Sequence, residues 1–147
     1  MKITATGFDD LLILEPKVIG DARGYFMEAY NYKTLLEHGI NTHFVQDNQS
    51  RSKKGVLRGL HFQNAPHVQS KLIRVLSGSI LDIVVDMRAE KMTFKKSFVL
   101  EMSDENKKQL YVPKGFAHGF LVISDVAEVL YKTDQYYHPE SEGGINI

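Results

Sequence analysis

The sequence predicts an all-β domain, a jelly-roll barrel of antiparallel strands with one short helix near the N-terminus. Three observations lead there. Short β-rich runs follow one another from residue 71 onward, punctuated by Gly, Asp, Asn and Ser. Only one segment, "NYKTLLEHG" at 31–39, carries helix signals, whereas a parallel α/β fold needs helices between its strands. The chain has 147 residues and is 43% hydrophobic, enough for one domain with a core, and barrels of this size can hold a ligand inside.

Each element has its own local reason. In 31–39, Asn31 can cap the helix, Leu35 and Leu36 supply an apolar stripe, and Gly39 can end it. "KLIRVLSGSILDIVVDMR" (71–88) reads as two strands about a Ser77-Gly78 turn. "KSFVLEM" (96–102) is another strand, followed by the polar "SDENKKQ" (103–109) and then "LYVPKGFAHGFLVIS" (110–124). "AEVLYKTDQYYHP" (127–139) alternates at first, with Ala127, Val129 and Tyr131 on one face and Glu128, Leu130 and Lys132 on the other. There is no internal repeat, low-complexity tract or linker, so residues 1–147 read as a single domain.

Composition excludes several functions. Net formal charge is zero, which argues against a general nucleic-acid binder. No apolar run is long enough to cross a bilayer, so no membrane role is expected. The start, "MKITATGFDD", lacks the apolar core of a signal peptide. Without cysteine there are no disulfides and no thiolate metal ligands, and the expected compartment is the cytoplasm.

Two histidines sit in suggestive places: His61 in "VLRGLHFQ" (56–63) and His118 in "GFAHGFLV" (115–122). Each could be a metal ligand, a structural group or a base. A metal is not expected. Two residues after His61 comes the amide of Gln63, His67 is displaced from that strand face, and the six histidines at 38, 43, 61, 67, 118 and 138 are scattered.

Polar residues interrupt the apolar strands at Arg58, His61, Lys71, Arg74, Asp82, Asp86, His118 and Tyr131. They either face solvent on the outer side of a sheet or face inward, where they need partners or a ligand. Arg58 and His61 flank Gly59. Their spacing of three puts them on opposite faces of a regular strand, and a bulge at Gly59 would redirect one.

No glycine-rich phosphate loop is present, but Arg23, Arg58, Lys71 and Arg74 could clamp phosphate oxygens with their side chains. Tyr136, Tyr137, Tyr25 and Phe26 lie near basic residues, where an aromatic ring can stack on a nucleobase or simply pack. A histidine, a lysine and a tyrosine in one dry pocket suit proton abstraction beside a carbonyl. The first takes the proton, the second stabilises the enolate, and the third returns a proton.

Several longer stretches resemble one family in its order along nearly the whole chain. They are "DARGYFMEAY" (21–30), "FVQDNQSRSKKGVLRGLHFQ" (44–63), "SKLIRVLSGSILDIVVDMR" (70–88), "LYVPKGFAHGFLV" (110–122) and "EVLYKTDQYYHPESEGGI" (128–145). The chain resembles the dTDP-4-dehydrorhamnose 3,5-epimerases, cupin-fold enzymes of sugar nucleotides. The resemblance implies inversion at carbons 3 and 5 of a dTDP-4-keto-6-deoxy sugar, with no metal and no organic cofactor. His61 would be the base, Tyr131 the acid, and Lys71 the cation near the keto oxygen.

Arg23, Glu28, Gln46, Asp47, Asn48, Arg58, His118 and Glu142 fall on substrate-binding positions. Tyr137 matches the tyrosine stacked on thymine, and Phe26 a nucleotide contact supplied by a partner subunit. The resemblance also implies a homodimer with exchanged N-terminal strands. Family members continue for several dozen residues beyond the "GGI" region, with an aspartate there that pairs with the base. That tail is expected to be absent here, leaving Asp82 and Asp86 as candidates to orient His61. One-centre epimerisation, 3,4-ketoisomerisation and binding without turnover are the alternatives.

Overall fold

The computed structural model describes residues 1–66 and 68–144, excluding the side chains of Gln63 and Glu142. His67 and the Glu142 side chain, both named above, therefore lie outside the described residues. In chain order the strands begin with β1 (Lys2–Ala5), β2 (Leu12–Glu15), β3 (Ile19–Asp21) and β4 (Gly24–Phe26). Helix α1 (Tyr32–Glu37) follows. Next come β5 (Gln46–Lys53), β6 (Leu57–Gln63), β7 (Lys71–Ser77), β8 (Ser79–Asp86) and β9 (Ser97–Ser103). The last are β10 (Gln109–Val112), β11 (Phe116–Val122), β12 (Val126–Thr133) and β13 (Glu142–Gly144).

Apart from β3 and β4, these strands build two antiparallel sheets, one ordered β1-β2-β10-β7-β12-β5 and the other β13-β6-β11-β8-β9. The predicted β-class and the single predicted helix both hold. Asn31 caps α1, its side-chain oxygen accepting from the Thr34 backbone N–H at 3.1 Å. Leu35 is buried while Leu36 is exposed, so one leucine of the pair docks the helix.

Alternation decides what the sheets enclose. On β8, Ile80, Asp82, Val84 and Asp86 are the fully buried row. The apolar members join Ile73, Val75, Met102, Leu110, Phe120, Val122 and Val129 in a core between the sheets. Each such side chain contributes roughly 1.5–3 kcal/mol on leaving water. Leu72, one residue from Ile73, points the other way and is buried too. It packs with Leu14, Leu35, Ile40 and Tyr111 under α1, on the outer side of the six-stranded sheet. That second cluster explains why β7 reads as a continuous apolar run rather than an alternating one.

Among the described residues β3 and β4 pair only with each other. Their ribbon and its flank leave Val18, Ile19, Tyr25 and Phe26 exposed, with Phe26 at 66%.

Asp86 closes β8 with a dense set of donors. It accepts from the Arg88 backbone N–H, from Arg88 Nε and Nη2 at 2.9 Å each, and from Thr93 Oγ1 at 2.5 Å. Arg88 Nη1 also donates to the Asp9 carbonyl at 2.9 Å, so the cluster pins the N-terminal segment. Burial raises the Asp86 pKa, but the donors outweigh it and hold the group down at about 2. A lowered carboxylate pKa stabilises the fold above the unfolded value near 3.8, and that contribution is lost as pH falls toward 2. The expected size is about 2 kcal/mol. Urea unfolding between about pH 5 and about pH 2 checks it: Asp86→Asn should flatten the acid loss seen in the parent protein.

Candidate active site

β6 and β11 touch through two glycines, and the contact shapes the site. His118 pairs with His61, and Phe120 pairs with Arg58, so two steps on β11 match three on β6. The extra residue is a bulge, centred on Gly59. Gly59 has φ +108, and a Cβ there would lie 2.7 Å from both Gly119 Cα and the His118 carbonyl oxygen. A Cβ on Gly119 would lie 2.5 Å from the Arg58 carbonyl oxygen. The bulge answers the question the spacing left open: Arg58 and His61 line the same cavity.

That cavity holds about 620 Å³, within the range of small-molecule sites. One wall is the five-stranded sheet, with Arg58, His61, His118 and Phe120. The other is the six-stranded sheet, with Asn48 and Ser50 from β5, Lys71 from β7 and Tyr131 from β12. Tyr137, beyond β12, stands at its border with about half its surface exposed.

The polar groups are held in place. Arg58 Nε donates to the buried Ser52 Oγ at 2.7 Å. The Lys71 ammonium is buried and lies 5.4 Å from the Tyr131 ring centroid, a distance at which the ring face attracts a cation. The His118 and Tyr131 rings meet edge-on at 6.2 Å. His118 Nε2 donates to Asp82 Oδ1 at 2.6 Å, and both residues are buried. Asp82 thus serves His118 rather than His61, because the inward row of β8 points it across to β11. Asp86 is engaged with Arg88 and Thr93. Neither aspartate takes the orienting role toward His61 that the sequence suggested. Among the described residues no three His, Asp or Glu side chains converge as a metal site.

The sequence profile of the dTDP-4-dehydrorhamnose 3,5-epimerase family matches residues 5–147. The chain belongs to this family. It is 52% identical to the dTDP-4-dehydrorhamnose 3,5-epimerase of Escherichia coli K12 over 99% of its own length and 79% of that protein's. Among solved structures it is similar to the 3,5-epimerase of Elizabethkingia anophelis, with TM-score 0.94, 51% identity, and 99% and 80% of the two chains covered. It is similar also to a Legionella pneumophila 3,5-epimerase solved with dTDP-4-keto-L-rhamnose, with TM-score 0.95, 50% identity, and coverage of 99% and 77%.

Within this family member the candidate residues fall into two groups. Asn48, Arg58, His61, Lys71, His118, Tyr131 and Tyr137 share the cavity. Arg23, Phe26 and Glu28 lie elsewhere, on and just after the β3–β4 ribbon. Arg23 forms an exposed ion pair with Asp21 at 2.6 Å. Phe26 and Glu28 border a separate groove of about 200 Å³ with Lys17 and Ile19. On β5, Gln46 donates to Asn48 Oδ1 at 2.8 Å, while Asp47 points to the other face and binds Lys132 Nζ at 2.9 Å. Arg74 is off the cavity, in a small groove beside Tyr25 and Lys107. Ser50, Ser52, Gln69 and Phe120 went unnamed in the sequence reading. The signal for the serines is the "QDNQSRSK" alternation, in which every second residue turns inward.

Proposed function

We propose that this chain inverts carbons 3 and 5 of dTDP-4-dehydro-6-deoxy-D-glucose to give dTDP-4-dehydro-L-rhamnose. The observation that carries the chemistry is the origin of the groups. The base candidate, His61, comes from one sheet, and the acid candidate, Tyr131, from the other, across one cavity. Inversion requires that arrangement: the proton leaves from one face of the sugar and another arrives from the opposite face.

His61 accepts a proton from the carbon next to the 4-keto group, and the electron pair moves onto the keto oxygen as an enolate. The Lys71 ammonium, on the Tyr131 wall, stabilises that oxygen. Tyr131 then gives its phenolic proton to the carbon from the far side. Exchange with solvent returns His61 and Tyr131 to their starting states, and a second round at the other carbon completes the reaction. Arg58, steadied by Ser52, is suited to the diphosphate, and Tyr137 to stacking on thymine. Asn48, Gln46, His118 and Glu142 complete the binding set, while Asp47, turned to the other face of β5 against Lys132, is left outside this cavity.

Arg23, Phe26 and Glu28 serve the cavity of a second copy in this reading. The exposed apolar ribbon that carries Phe26 supports a homodimer with exchanged N-terminal strands. The absence of cysteine suits a reducing compartment, and the reading places the enzyme in the cytoplasm. Incubation with dTDP-4-keto-6-deoxyglucose tests the reaction. Ring-proton couplings in NMR should change to those of the L-configured product; a sugar that keeps its D-configuration would refute it.

A further inference from the structure

Asp82 sits in the inward row of β8 between Ile80 and Val84, with no exposed surface. Burying a carboxylate there is costly, and an apolar side chain would pack the same position without that cost. One oxygen, Oδ1, is 2.6 Å from His118 Nε2. The other, Oδ2, is buried and has no hydrogen-bond partner among the described residues. A carboxylate accepts and does not donate, so Nε2 carries the imidazole proton. The remaining nitrogen, Nδ1, makes no hydrogen bond among the described residues, and His118 lines the cavity beside Tyr131.

The geometry points to Asp82 as a positioning residue that fixes His118 in its Nε2–H tautomer, so that Nδ1 accepts a hydrogen bond from a hydroxyl of the bound sugar. An acceptor at this point selects for a hydroxyl. Phosphate and keto oxygens only accept, and they would need a proton on Nδ1. The identity of the ligand rests on the proposed function; the tautomer does not.

Asp82→Asn reverses the arrangement for a reason visible at Oδ2. An amide that turned its oxygen to His118 would leave both N–H groups buried without acceptors. Turning its NH2 to Nε2 leaves one N–H and the amide oxygen unpaired instead. An unpaired buried oxygen is better tolerated than a second orphaned N–H and is already present as Oδ2 in the parent, so His118 is driven to the Nδ1–H form. In nitrogen-15 NMR, the ligand-free parent protein should show His118 as Nε2–H, its signal being the one lost in His118→Gln. Asp82→Asn should show Nδ1–H, with kcat/KM reduced about 10–10²-fold, the effect of losing one buried hydrogen bond to the substrate. Binding of dTDP, which lacks the sugar, should be unchanged. An Nδ1–H signal in the parent overturns the proposal. So does full turnover by Asp82→Asn, or a loss of dTDP affinity as large as the loss of turnover. The parent spectrum needs neither a folded variant nor turnover, so it stands even if the proposed substrate is wrong.

Discussion

His61→Asn is expected to lower kcat about 10²–10⁴-fold, the usual contribution of a positioned acid or base. Asparagine keeps a polar group of similar reach but accepts no proton at neutral pH. KM should change little, because Arg58 and Tyr137 still line the cavity for the nucleotide. Tyr131→Phe should behave differently. The base survives, so protons next to the keto group still exchange with solvent, but no phenol delivers one from the opposite wall. Exchange without inversion separates the two roles. Equal loss of exchange in both variants would contradict the assignment of acid and base, as would unchanged turnover in either.

Gly59→Ala is expected to damage fold and site together. The backbone there has φ +108, a region that side chains with a Cβ rarely adopt, and the new methyl would sit 2.7 Å from backbone atoms of β11. Those are not flexible side-chain ends; β11 is held on its far side by β8 along its whole length. We expect a loss of about 2–4 kcal/mol, from positive φ and overpacking combined. The bulge also keeps Arg58 and His61 on one face, so the fraction that folds should turn over slowly. Urea unfolding and kcat on the same preparation check both. Parent-like stability with parent-like kcat would mean that the bulge is not what aligns the two side chains.

Much of this was legible in the residues. α1 was readable because its cap, apolar pair and terminal glycine are local signals that the tertiary structure leaves in place. The turn at Ser77-Gly78 and the alternation of β12 were readable for the same reason. β5 was not, since "QDNQSRSK" contains no apolar residue. Its inner face lines a polar cavity and not the core, so the usual hydrophobic alternation never appears. The partner of His118 was also hidden. Asp82 and His118 are far apart in sequence, and strand register alone brings them together. The same holds for Arg58 and His61, whose spacing points to opposite faces until the bulge is counted.

The family resemblance named the cavity residues and set only Phe26 apart, as a partner subunit's contribution. The structure separates the ribbon residues Arg23 and Phe26 from the cavity that holds His61 and Tyr131. That separation gives the two-copy reading its physical basis.

Solvent labelling puts the double inversion to its most direct test. The protein is incubated with dTDP-4-keto-6-deoxyglucose in deuterated water, and the sugar is read by NMR. Proton abstraction through one cavity, followed by return from the opposite wall, predicts deuterium at both carbon 3 and carbon 5. Deuterium at one carbon alone would contradict the double inversion. A substrate that binds but takes up no deuterium would contradict the roles given to His61 and Tyr131.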